Sequence, residues 1–152
     1  MGGYNVNKKN VKKYTYLGLG FPIELHNIDM VQVNNEWHPR IDVKAVADLA
    51  IRNLITLETR LTGNQVKFIR SYFQMSLRDF GKVVNETHSA VKKWEDHMDR
   101  QTKMDVNIEI MMRLFIYNRI YKETKENKVK FYDNYIQITK ALYEDTRNFI
   151  AC

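Results

Sequence analysis

Met75-Ser-Leu-Arg-Asp-Phe-Gly-Lys-Val-Val-Asn-Glu-Thr-His-Ser-Ala-Val-Lys-Lys-Trp-Glu95 reads as two short helices joined by a tight turn. Ser76 is the expected N-cap of a helix running to about Val84, and Asp79 completes an S-x-x-D capping pattern. Phe80, Val83 and Val84 are spaced three and four apart, which puts them on one face of that helix, toward a small core. Gly81 falls where the two helices should cross, and its missing Cβ permits close backbone approach. Asn85-Glu86 then breaks the helix, since Asn tolerates the left-handed conformation, and Thr87 caps the next one. Val91 and Trp94 face inward from it.

That pattern leaves His88, Ser89, Lys92 and Lys93 on the outer side of the second helix. A short hydroxyl and an imidazole suit base edges, and long cations suit guanine edges or phosphates. The plainer alternative is a helical hairpin with a solvated basic face.

Residues 62–113 resemble the XRE/Cro-like helix-turn-helix family, whose pattern runs S-Q-x-x-F-A-x-x-x-G-V-S-x-x-x-V-x-x-W-E. Ser76, Phe80, Thr87, Val91, Trp94 and Glu95 match it directly, Gly81 stands for the family's Ala, and Asn85 stands for its turn Gly. The resemblance implies a DNA-binding unit whose second helix enters the major groove. The chain departs from the pattern at Leu77, where the family commonly has a Gln that touches phosphate or base, and Arg78 is expected to share the phosphate role. The expected DNA contacts are therefore Ser76, Arg78, Thr87, His88, Ser89, Lys92 and Lys93. The layout is also similar to type II antitoxins of the MqsA and HigA kind, with a β-containing module ahead of the helix-turn-helix. Against that family Ser89 and Lys93 align with its base-contacting Asn and Arg, whereas its N-terminal zinc cysteines have no counterpart here. Lysine lacks the fork with which arginine reads guanine.

The chain has 152 residues, enough for one good core or a small domain with appendages. A hydrophobic content of 44% argues against wholesale disorder, and there is no apolar run long enough to span a membrane. The first residues lack the apolar core of a signal peptide, and the single cysteine, Cys152, leaves no internal disulfide. A reducing cytoplasm is the expected compartment. The net charge of +6 is spread along the chain, so any basic patch must be assembled by folding.

Residues 1–13, with Lys8, Lys9, Lys12 and Lys13, read as a flexible tail, the alternative being a basic arm on the DNA backbone. Residues 14–60 read as a β-hairpin and helix module. Phe21–Leu25 and Ile28–Val33 are expected strands, Asn34-Asn35 a hairpin turn, and Glu36–His38 the return. Asp42 caps a helix over about 43–55 with Val43, Val46, Leu49, Ala50 and Leu54 inward, and 56–61 is a connector. The DNA-binding unit occupies 61–122. Thr62 caps a helix over 63–74 with Val66, Ile69, Tyr72 and Phe73 inward. The polar loop 96–104 precedes a helix over about 106–122 that carries Ile108, Met111, Met112, Leu114, Phe115, Ile116 and Ile120, with Glu109 near its start. Within 123–152, Lys125–Lys128 is an expected break, followed by a helix over about 129–149. Phe131, Tyr135, Ile138, Leu142 and Phe149 form its apolar stripe, widened by Tyr132, Ile136 and Tyr143. The stripe covers either the chain's own bundle or a second subunit, and a dimer interface is the favoured expectation because such readers usually bind paired half-sites.

Gly18-Leu-Gly20 lacks a phosphate-loop lysine and reads as a turn, and His26, His38, His88 and His97 have neither cysteine partners nor metal-ligand spacing. No nucleophile elbow appears, so no enzymatic activity and no cofactor are expected. The expectation is a mainly α fold with a small N-terminal β-hairpin module (α+β), built as a helix-turn-helix bundle plus a long C-terminal helix. Its function is that of a sequence-specific repressor acting on double-stranded DNA as a homodimer. Within that class an antitoxin that holds a toxin and represses its own operon is favoured over a stand-alone or prophage regulator. A third possibility is a protein-interaction module with a degenerate helix-turn-helix.

Overall fold

The computed structural model describes residues 6–121 and 125–151, with side chains to Glu144. Strands β1 (Lys8–Tyr16), β2 (Ile23–Val33) and β3 (Glu36–Pro39) precede helices α1 (Val43–Thr56), α2 (Gly63–Tyr72), α3 (Leu77–Val83), α4 (His88–Glu95), α5 (Val106–Ile120) and α6 (Lys125–Ala151). The α+β class, the small N-terminal sheet and the long last helix agree with the sequence. Two compact units divide the chain, Met1–Asp48 and Leu49–Cys152, so the division falls inside α1 rather than at the expected 60/61 boundary.

In the first unit the sheet is antiparallel in the order β1-β2-β3. The flexible-tail expectation for 1–13 fails for Lys8–Lys13, which form most of β1, paired along β2 from Lys8–Val31 to Val11–Ile28 and again at Lys13–His26. A lysine-rich strand fits a sheet edge, where charge discourages pairing with another chain. Lys9 lies 4.2 Å above the Trp37 ring and Lys13 pairs with Glu24 at 3.5 Å, so part of the lysine excess is used within the sheet. The two expected strands are one, β2, with Asn27 at φ 55 interrupting it locally while the register continues on both sides. Asn34 and Asn35 at φ 51 and 64 make the expected hairpin turn into β3. Asp42 accepts from Ala45 N at 3.1 Å and caps α1 as expected. Val43 and Leu49, placed inward by the sequence, are exposed. The inward stripe is instead Val46, Ala50, Ile51, Leu54 and Ile55, a helical face shifted toward the C-terminal end.

The second unit is built around α5. Val66 and Ile69 of α2, Phe80 of α3, Val91 of α4 and Met112 and Ile116 of α5 are all fully buried. Half-buried Phe73 and buried Phe80 meet the Phe115 ring edge-on at 5.1 and 6.5 Å. Met111 is exposed, and α5 ends at Ile120.

The connector 56–61 is not a passive link, because Arg60 and Leu61 are buried. The cause is Glu109, a carboxylate with no solvent exposure. Its Oε1 accepts from Arg60 Nε at 3.2 Å and from Leu61 N at 2.8 Å, and its Oε2 accepts from Arg113 Nη2 at 3.2 Å. Arg60 also donates to the Met104 carbonyl, and Arg113 donates to the carbonyls of Leu57 and Thr59. Burial lowers the Arg113 pKa from its ordinary value, while the charge and hydrogen bond of Glu109 oppose that shift.

Helix α6 begins at Lys125, so Lys125–Lys128 is helical rather than a break. Leu142 is fully buried against Val106 and Ile110, with Leu114, Tyr135 and Ile138 packed around them. That stripe therefore covers the chain's own α5, which corrects its expected place in a dimer interface. The Phe149 side chain lies outside the described residues.

Glu109→Ala should lower stability by about 3–5 kcal/mol, because it strands two buried guanidiniums. Urea denaturation measures this; a loss of about 0–1 kcal/mol, typical of an exposed pair, would mean that the cluster holds nothing together.

Candidate nucleic-acid interface

Both reading-unit helices start where the sequence places them. Ser76 Oγ accepts from Asp79 N, and Thr87 Oγ1 accepts from Ala90 N, each at 3.1 Å. The turn between them closes on Asn85 at φ 55, with Glu86 N donating to the Gly81 carbonyl at 2.8 Å. Gly81 is required there. A Cβ at this position would stand 2.6 Å from the Glu86 carbonyl oxygen, so the close approach is to the turn rather than to a helix crossing. The family's Ala would not fit this turn.

Val91 and Trp94 anchor α4 in the core, and His88, Ser89, Lys92 and Lys93 are exposed. At about 100° per residue these four span an arc of about 140° on the side away from Val91 and Trp94. A helix with its side chains is about 10–12 Å across, comparable with the roughly 12 Å width of the major groove, and α4 has eight residues. Ser76, Arg78 and Thr87 are exposed at the starts of α3 and α4. The lone pairs of Ser76 and Thr87 that cap the helices are occupied, and their hydroxyl hydrogens are not committed by that bond. Leu77 is half-buried.

The four groups on α4 are not equivalent. Lys92 Nζ is 2.5 Å from Asp96 Oδ1, and that hydrogen bond, followed by the charge of Asp96, raises the Lys92 pKa. A phosphate must compete with Asp96 for Lys92. Lys93 makes no such pair among the described residues; its carbonyl accepts from His97 Nδ1 at 2.8 Å. Lys93 is thus the less encumbered of the two cations.

A residue pair that local sequence patterns did not single out fixes how α4 is presented. Arg70 of α2 grips Glu95 with Nε–Oε1 at 2.6 Å and Nη2–Oε2 at 3.2 Å, and its Nη1 donates to the Met75 carbonyl at 3.0 Å. One guanidinium so joins the end of α4 to the residue preceding the Ser76 cap. Glu95 was legible as part of the family pattern; its partner, 25 residues earlier, carries no short-range signal. Gly63 lies against the Trp94 and Glu95 carbonyls, where a Cβ would come within 2.5 and 2.8 Å. Among the described residues no group of His, Cys, Asp and Glu is placed to hold a metal ion.

No protein-family model, curated protein or solved structure matches the chain.

Gly81→Ala should destabilise the unit by about 1–3 kcal/mol through overpacking of the turn, seen as a lower melting temperature by circular dichroism. An unchanged melt would show that the Glu86 carbonyl moves aside freely.

Proposed function

We propose that this chain is a sequence-specific transcriptional repressor that inserts α4 into the major groove of double-stranded DNA. The observation that carries this reading is the division of α4. Val91 and Trp94 are buried, while His88, Ser89 and Lys93 stand free on a helix whose two ends are fixed by Thr87 and by the Arg70–Glu95 pair. A rigid, basic, hydroxyl-bearing helix with a free outer face is what base readout demands. Arg78, Ser76 and Thr87 would then meet the phosphates flanking the groove. No helix among the described residues is long and apolar enough to cross a membrane, and the proposed activity belongs in the cytoplasm.

Within that class we favour an antitoxin that represses its own operon. Support comes from the layout, a three-stranded sheet ahead of the helix-turn-helix. Half-buried Leu77 in place of the family's Gln favours a second reading, a protein-interaction module that no longer reads DNA.

Repressors of this build act as symmetric pairs on paired half-sites. With the Tyr135–Leu142 stripe used inside the chain, the surface that suits a homodimer is a flank of α6. There Val129, Tyr132 and Ile136 are exposed at steps of three and four, the spacing of a coiled-coil seam.

A gel-shift titration against the upstream DNA of the chain's own gene should show binding that weakens steeply between two salt concentrations. Lys93→Ala should cost roughly 1–3 kcal/mol on the cognate site. Affinity unaltered by this change would remove α4 from the groove, and no binding at low salt would favour the protein-interaction reading. Separately, Ile136→Glu should convert a dimer to a monomer in light scattering, whereas a dimer that persists would place the contact elsewhere.

A further inference from the structure

A cavity of about 250 Å³ lies within the second unit, between the last turn of α1, α5 and α6. Its aliphatic lining comes from Ile110, Leu114 and Ile138, the residues that also pack α6 on α5. Aromatic side chains add to it. The Tyr117 ring centroid lies 4.4 Å from that of Phe131, and Phe131 lies 5.5 Å from Tyr135, with interplanar angles of 38° and 32°. Interiors are normally packed to near-crystalline density, and an unfilled apolar space of this size lowers stability.

The polar groups around this space are committed elsewhere. Arg113 spends its Nη groups on backbone carbonyls and on Glu109, and Lys130 is paired with Glu126 at 3.5 Å. The Tyr117 hydroxyl donates to the Asn127 carbonyl at 2.7 Å. Arg113 Nε and Thr139 Oγ1 have no partner, yet both are closed off from any incoming atom. Arg52 also lines the cavity, but it is exposed, and an exposed cation offers an anion little beyond what water gives. A carboxylate entering the space would therefore lose its hydration without a matching partner. An ammonium would meet a lining that holds three cationic residues and, among the described residues, no carboxylate. What remains to be recognised is uncharged surface.

We propose that this cavity binds an uncharged aromatic molecule of about two fused rings, seated against Tyr117, Phe131 and Tyr135. An apolar cavity of about 150 Å³ is enough for benzene, so the larger space suits a second ring. Ring-lined walls add an attraction for another ring that an alkyl chain of equal area does not receive. None of these residues belongs to α3 or α4, so binding without DNA stands or falls separately from the nucleic-acid assignment.

Isothermal titration calorimetry of the full chain, without DNA, tests this site with indole, indole-3-acetate, tryptamine and 1-hexanol. Indole should bind saturably at one site, at least roughly tenfold more tightly than the acid, the amine or the alkyl alcohol. Phe131→Leu keeps an apolar side chain and removes one ring. It should weaken indole roughly threefold to tenfold, the scale of one aromatic pair, and leave 1-hexanol unchanged. Ile138→Trp, which fills the space, should abolish indole binding while the circular dichroism spectrum stays helical. Acid or amine binding as tightly as indole, 1-hexanol matching it, undiminished affinity in Phe131→Leu, or no saturation by about 5 mM indole would overturn the assignment.

Discussion

The helical unit depends on one buried carboxylate. Glu109 has no contact with water, so its charge is tolerable only where donors surround it, and those donors come from the connector (Arg60, Leu61) and from α5 itself (Arg113). A buried ion cluster contributes little net stability compared with well-packed hydrophobes, but it penalises heavily any arrangement that separates its members. The connector is thereby held to a single path along α5. The side of α5 carrying Met112, Phe115 and Ile116 can then meet α2 and α3, while Val106 and Ile110 receive α6.

A second charged grip, Arg70 on Glu95, works at the edge of the same body. It differs in being bidentate and in reaching a backbone carbonyl just ahead of α3. A fork–fork pair fixes angle as well as distance. Helix α4 is thus oriented by groups behind it, and none of the four residues on its outer arc is needed for folding. Scaffold and exposed face are separated along one helix, a division that allows the face to be precisely held while leaving its chemistry open.

The reading unit was legible because its signals are local. Ser76, Asn85 and Thr87 act through hydrogen bonds or dihedral angles within three residues of themselves, and the inward side chains follow a helical period. Long-range pairings were the parts that did not show. Lys8–Lys13 is too polar to announce a strand and becomes one only because β2 offers a partner. Asn27 looks like a break in sequence, yet a single left-handed residue leaves the register intact. The phase of α1 was misjudged at Val43 and Leu49 because apolar residues lie on more than one side of it. On α6 the periodicity marked one broad stripe but could not say which part of it was internal, since Leu142 is buried and Ile136 exposed according to what the rest of the chain supplies. Arg70 gave no signal for the same reason.

The left-handed turns hold a consequence for how this chain can diversify. Asn27, Asn34, Asn35, Gln74, Asn85, Met98 and Lys103 all sit at positive φ, whereas Gly20 is the one glycine recorded there among the described residues. Each side chain in that region carries a conformational cost of about 1–2 kcal/mol, partly repaid by a less disordered unfolded chain than glycine would give. Glycine at Met98, whose thioether cannot donate to the backbone as an Asn amide can, is a gain held in reserve. A lineage that altered the exposed face of α4 at some expense in folding could recover the loss at such a bend, leaving that face untouched.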